Sequence, residues 1–152
     1  MIEVFKVEKP ANSDMTVALT KLMMEQMNSL SVETSEETLL KTIEEVLTPP
    51  SNAEFFVAQY KGQLIGCAFL NKGIGLDKGG HYIWLNDLYV TKRFRRQGIG
   101  KKLLLKVLYW AEKNEFKGVE LETGRHNEAT KKLYNSLGFY DIVSKRYGRT
   151  LT

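Results

Sequence analysis

The sequence predicts a mixed α/β fold in which one sheet is flanked by helices, and three observations lead there. Strand-like apolar runs alternate with helical periodicities along the chain. A strand, helix, strand passage between residues 81 and 123 has the length of a crossover joining two parallel strands. The 152 residues, 43% hydrophobic and 26% charged, suffice for one sizeable core, so residues 1–152 are expected to form a single domain.

Residues 2–9 alternate and carry β-branched side chains, which predicts a first strand; Pro10, Asn12 and Ser13 mark the turn into a helix over about 14–29. Met15, Met23, Met24 and Met27 fall along that helix and read as core packing. A second helix is expected over about 35–47, where Thr34 and Glu37 have capping-box spacing and Pro49-Pro50 forces an end. Glu54–Tyr60 and Gln63–Lys72 are strand-like runs separated by Lys61-Gly62, a hairpin signal. Gly73–Gly80 carries four glycines and reads as a loop before a strand over His81–Val90.

From Gly98 to about Asn114, Ile99, Leu103, Leu104, Val107, Leu108 and Ala111 define one apolar helix face, with Lys101, Lys102, Lys106 and Glu112 mostly off it. Lys117–Thr123 reads as the strand that completes the crossover. Asn127 can cap another helix, with Ala129, Leu133 and Leu137 on its buried side and Gly138 as its left-handed stop. A final strand is expected from about Phe139 to Tyr147, or as far as Leu151.

Composition removes several function classes. No apolar run approaches the roughly 18 residues needed to span a bilayer, and Met1-Ile2-Glu3-Val4-Phe5-Lys6 lacks a signal-peptide layout, so a cytoplasmic protein without membrane contact is expected. The only cysteine, Cys67, sits in an apolar run and reads as a small buried hydrophobe. His81 and His126 are far apart and neither has a second ligand at helical spacing, so no metal is expected.

The chemistry concentrates in Leu88-Tyr89-Val90-Thr91-Lys92-Arg93-Phe94-Arg95-Arg96-Gln97-Gly98-Ile99-Gly100-Lys101-Lys102, which reads as strand, basic glycine turn and helix start. Turn glycines admit a ligand close to the backbone, and the first helical turn offers N–H groups without intrahelical partners together with a partial positive charge. Residues 91–106 hold Lys92, Arg93, Arg95, Arg96, Lys101, Lys102 and Lys106 and no acidic residue. Taking those seven from the 22 Lys and Arg leaves 15 basic against 18 acidic residues, so the net +4 is owed to one segment. A compact polyanionic ligand suits such a local excess better than a nucleic-acid track, and no recognition-helix pattern accompanies it.

Two phosphate motifs fail here. Gly100-Lys101 is followed by Lys102 where a Walker-type loop needs Ser or Thr, and Gly98-Ile99-Gly100 is followed by Leu103 where a dinucleotide fingerprint needs Gly or Ala. Arg95-x-x-Gly98-x-Gly100 between strand and amphipathic helix resembles instead the acetyl-coenzyme A signature of the GCN5-related N-acetyltransferase (GNAT) superfamily. Asn127-Glu128-Ala129-Thr130-Lys131-Lys132-Leu133-Tyr134-Asn135-Ser136-Leu137-Gly138-Phe139 resembles that superfamily's second block, with its Asn, Ala, Tyr and terminal Gly-Phe.

The resemblance implies a sheet of about six to seven strands, mainly antiparallel with a central parallel pair, flanked by about four helices. It implies acetyl transfer from acetyl-CoA to a primary amine of a small molecule or peptide, by direct attack in a ternary complex and without a metal. Arg95, Arg96, Gln97, Gly98, Ile99, Gly100 and Lys101 would wrap the pyrophosphate, largely through backbone N–H groups. Leu88, Tyr89 and Val90 would present a splayed strand edge to pantetheine, and Asn127 would hydrogen-bond the same arm. Tyr134, whose phenol has a reference pKa of about 10, would protonate the departing thiolate. Glu122 and Asp87 are alternative bases; Asn86 stands where polyamine-type relatives carry Glu. A non-catalytic acetyl-CoA sensor is the alternative reading, and a homodimer is compatible with the family.

Overall fold

The computed structural model describes residues 1–123 and 128–152 of the chain. They fall into two compact units, Met1–Glu122 and Thr123–Thr152.

The first unit is a single sheet in the order β1 (Ile2–Lys6), β2 (Ala53–Tyr60), β3 (Gln63–Gly75), β4 (Gly80–Val90) and β5 (Val119–Leu121). The first four strands are antiparallel to their neighbours, and β4 pairs parallel with β5. Helix α3 (Ile99–Lys113) makes the crossover between that parallel pair. Helices α1 (Ser13–Ser29) and α2 (Glu36–Val46) come between β1 and β2.

Side-chain parity assigns the two faces. Phe55, Val57, Leu64 and Cys67 join Leu19, Leu22 and Met23 of α1 and Ile43 of α2 in one buried cluster. On the other face Phe56 meets Trp110 of α3 edge-on at 5.5 Å, and Leu103, Leu104 and Val107 of α3 are fully buried. Burying each large apolar side chain contributes roughly 1.5–3 kcal/mol, which binds both helical layers to the sheet.

Local chemistry sets the boundaries. Asn12 caps α1 by accepting from the Met15 N–H at 2.9 Å. Ser35, not Thr34, caps α2, its hydroxyl accepting from the Thr38 N–H at 3.0 Å. The β2–β3 hairpin turns on Lys61 (φ 49°) and Gly62 (φ 77°), the paired left-handed conformation of a two-residue turn. The expected glycine loop shrinks to residues 76–79, because β3 runs to Gly75 and pairs with Gly80. β5 is shorter than the 117–123 expected, although Lys117 N–H to His81 O at 2.8 Å prolongs its contact with β4.

The second unit holds α4 (Glu128–Ser136), closed by Gly138 at φ 88° and by a Phe139 N–H to Tyr134 O bond of 3.1 Å. The expected strand over 139–147 does not form, so the described sheet has five strands and not six to seven, beside four α-helices. Register explains the misreading. Taken alternately, Tyr140, Ile142, Ser144 and Arg146 share one face and Asp141, Val143, Lys145 and Tyr147 the other, so neither presents an unbroken apolar row.

Candidate active site

The parallel ladder of β4 and β5 runs from Ile83↔Val119 to Leu85↔Leu121 and stops there. β4 continues against β3 as far as Val90↔Gly66. From Asn86 onward, among the described residues, β4 therefore has no strand on its β5 side. A fork opens there, and its inner edge offers main-chain groups that an extended ligand can pair with.

A bulge sits at the base of the fork. Leu85 lies opposite Leu70 and Asp87 opposite Phe69, so Asn86 is an extra residue; its Oδ1 accepts from Asn71 Nδ2 at 2.8 Å. The inserted residue resets the alternation. Trp84 before it and Asp87 and Tyr89 after it pair with Asn71, Phe69 and Cys67, all on the α1 side of the sheet. Glu122 follows Leu121, at the other side of the fork base, and is exposed.

Burial pushes the Asp87 carboxyl above its usual pKa, and a hydrogen bond from the Gln26 side chain of α1 offsets part of that rise. Tyr89 is buried, and its hydroxyl donates to Glu25 Oε1 at 2.8 Å. Burial first, and then Glu25, raises the Tyr89 phenol pKa, with Arg95 acting in the opposite direction. Sequence reasoning did not single out Gln26. The signal was present: Leu19, Leu22, Met23 and Gln26 share the buried stripe of α1, and Gln26 is its polar interruption.

Past Val90 the chain makes a single 3₁₀ turn over Lys92–Phe94 and enters α3 through Arg96 (φ 64°) and Gly98 (φ 74°). The first helical bond is Lys102 N–H to Gly98 O at 3.0 Å, and no side chain caps the helix. The N–H groups of Ile99, Gly100 and Lys101 thus lack intrahelical acceptors, amid the basic Arg95, Arg96, Lys101 and Lys102. Among the described residues, a Cβ built on Gly100 would meet nothing within 4 Å apart from its chain neighbours and the nearby backbone of its own helix, so packing against the rest of the protein does not demand glycine there. Arg96, a non-glycine residue in the left-handed region, costs of order 1 kcal/mol, the kind of local strain found around bound anions.

In the second unit Tyr134 lies on α4, its ring 5.7 Å from that of Phe139, and burial raises its pKa. Asn127 lies outside the described residues. Cys67 is fully buried and its thiol pKa is driven far up by burial, which fits a packing role. An open groove of about 440 Å³ beside β1 and the start of α1, lined by residues such as Phe5, Val7 and Met15, contains none of the residues named for acetyl transfer.

The fork, the bulge and the uncapped helix start give the matches to known proteins a physical setting. The family model for the acetyltransferase (GNAT) family matches residues 17–139, most of the chain. The chain belongs to the GNAT family. Among curated proteins, this GNAT chain is 32% identical over 108 residues to an N-acetylaspartate synthetase of Danio rerio, covering 71% of the chain and 35% of that protein. It is 43% identical over 42 residues to streptothricin acetyltransferase A of Bacillus subtilis (strain 168), covering 28% of the chain and 24% of that protein. The GNAT chain thus spans about a third or less of each curated relative it matches. A solved probable acetyltransferase shares its fold at a TM-score of 0.85 and 20% identity, with 99% of this chain and 98% of that one covered. An aminoglycoside N-acetyltransferase solved in complex with CoA superposes at a TM-score of 0.80 and 18% identity, with 99% and 95% covered. No helix among the described residues is long and apolar enough to cross a membrane.

Proposed function

We propose that this GNAT protein transfers the acetyl group of acetyl-CoA to a primary amine. The observation that carries the reading is the fork: among the described residues, β4 from Asn86 to Val90 has an unpaired edge that leads directly into an uncapped, basic helix start. The two halves of coenzyme A match these two features. Its diphosphate suits the N–H groups at Ile99, Gly100 and Lys101, with the turn from Arg95 through Gln97 and Gly98 wrapped about it and basic side chains helping at the 3′-phosphate. Its pantetheine arm, an extended diamide, suits the backbone edge of Leu88, Tyr89 and Val90, with Asn127 as a further partner.

The thioester supplies an activated acyl group. A main-chain N–H on the β4 edge polarises its carbonyl, an oxyanion-type contribution that needs no charged side chain. An alkylammonium, with a reference pKa of about 10.4, must lose a proton before it attacks. Asp87 receives that proton, directly or through water, because its partial burial strengthens it as a base; Glu122, exposed at the other side of the fork, is the alternative. The amine nitrogen bonds to the acetyl carbon, the carbon–sulfur bond breaks, and Tyr134 protonates the thiolate. The curated relatives' names, one for N-acetylaspartate and one for streptothricin, support acyl transfer and leave the acceptor to experiment.

The test is acetyl-dependent thiol release with a panel of simple amines, amino acids, polyamines, aminoglycosides and short peptides. Turnover with any member supports the enzyme. CoA binding with no turnover across the panel favours an acetyl-CoA sensor. In an active system, Tyr134→Phe is expected to lower kcat by about a hundredfold while the KM for acetyl-CoA changes little. Unchanged kcat in that variant removes Tyr134 from the mechanism.

A further inference from the structure

Arg95 opens the glycine signature, yet its side chain is already engaged within the protein. Its Nε donates to the carbonyl of Val90, the last residue of β4, at 2.9 Å. Its guanidinium lies over the Tyr89 ring, 5.5 Å from the centroid. The Tyr89 hydroxyl donates in turn to Glu25 Oε1 of α1 at 2.8 Å. One connected chain therefore runs from α1 through β4 to the residue that begins the turn. Glu25 and Arg95 place opposite charges at its two ends, and the phenol between them stays protonated, as its donor role requires.

The geometry around the turn shows what this chain restrains. The Arg95–Val90 bond closes the excursion of residues 91–95, and Arg96, the next residue, takes φ 64°. On the opposite flank the turn is held by Phe94 against Tyr60, ring centroids 5.6 Å apart, and by Arg93 donating to Gln63 at 3.4 Å. Fixing the turn before a ligand arrives lowers the ordering cost of binding.

Resting on the coenzyme A reading above, we infer that Glu25 and Tyr89 are positioning residues for the cofactor turn: they hold Arg95 against the end of β4, so that Arg95 braces the turn and leaves phosphate neutralisation to its neighbours. A guanidinium suits this task because its planar fork can donate in plane while its face stacks on an aromatic ring, which an ammonium cannot reproduce. α1, which contributes Gln26 beside Asp87, thereby also sets the shape of the turn.

The experiment is calorimetric titration of the full chain with CoA, with thermal unfolding of each variant measured alongside. Tyr89→Phe, Glu25→Leu and Arg95→Lys are each expected to weaken CoA binding by about tenfold, the scale of one charge-assisted hydrogen bond. Glu25→Gln keeps an acceptor for the phenol and is expected to restore most of the affinity. The double variant Tyr89→Phe/Arg95→Lys is expected to bind no more weakly than the weaker single variant, because both changes break one chain of contacts. Additive losses, unaltered affinity in Tyr89→Phe, unaltered affinity in Arg95→Lys, or losses that merely track the unfolding temperature each overturn the inference. A wild-type protein that ignores CoA overturns the functional reading itself, a result distinct from unchanged variants of a protein that binds.

Discussion

Two polar clusters occupy opposite faces of the same sheet, and their contrast separates structure from chemistry. On the α3 side, Glu54 is nearly enclosed, its side chain 5% exposed, and the ammonium groups of Lys72, Lys9 and Lys6 lie 2.7, 3.0 and 3.6 Å from its oxygens. Lys9 also donates to the carbonyls of Ala53 and Ser51. On the α1 side, Asp87 and Tyr89 are tied to α1 by Gln26 and Glu25, while among the described residues no strand pairs the β5 side of their strand beyond the fork and no side chain caps the start of α3. Burial raises both carboxyl pKa values, but only at Glu54 do the cations outweigh it and depress the pKa. A buried carboxylate ringed by its own protein's cations reads as a structural post, whereas one whose pKa burial raises suits the base of the proposed reaction.

The largest expected effect lies on the α1 side. Asp87→Asn should reduce kcat by about a thousandfold with the fold intact, whereas Glu122→Gln should do so only if the exposed carboxylate is the base; steady-state rates for the two variants decide between them. With Asp87 as base, kcat/KM should rise with pH through a carboxyl pKa shifted upward, and Asp87→Asn should remove that limb from the pH–rate profile.

Glu54→Ala should leave coenzyme A affinity unchanged and lower stability by about 3 kcal/mol in urea unfolding, since it strands cations packed around a lost anion. A smaller loss of binding, about tenfold, is expected for Gly100→Ala by titration with CoA. Its unfolding temperature should hold or rise slightly, because the new methyl meets no described atom outside its own helix and chain neighbours and alanine favours helix.

The smallest effect is a pH dependence of folding. The pKa of Glu54 is lower in the folded protein than in the unfolded chain, so its stabilisation is fully present above the unfolded carboxylate pKa of about 4.3 and is lost as pH falls through the folded value. Glu54→Gln should flatten that acid limb of the stability curve. An unchanged limb would assign acid sensitivity to other carboxylates.

Much of this contrast was readable in the chain and some was not. The turn from Arg95 to Lys101 was legible because glycines and local charge are written in consecutive residues, and the Lys61-Gly62 hairpin was legible for the same reason. The cap of α2 was displaced by one residue because Thr34 and Ser35 are both competent acceptors and only the backbone chooses between them. The Glu54 cluster escaped notice because its lysines lie at positions 6, 9 and 72, brought together only by pairing β2 with both neighbours. Asp87 and Tyr89 were identified, but their common side with Trp84 depends on the bulge, which alternation along one strand cannot reveal. The strand expected after Phe139 shows the opposite error: β-type residues without a consistent face do not specify a ladder.

The supernumerary Asn86 has a consequence for how this enzyme family member can change. Strands with strict alternation tie every catalytic substitution to the hydrophobic layer beneath, because shifting one side chain by a position exchanges inside for outside. Here the count restarts at Asn86, so Leu85 lies on the α3 side below the bulge and Leu88 and Val90 lie there above it, while Asp87 and Tyr89 keep to the α1 side. Deleting that single asparagine would make Leu85↔Leu70 and Asp87↔Phe69 consecutive pairs of a regular ladder, keeping Asp87 on the α1 side and Leu88 and Val90 on the α3 side while removing the extra residue at the base of the fork.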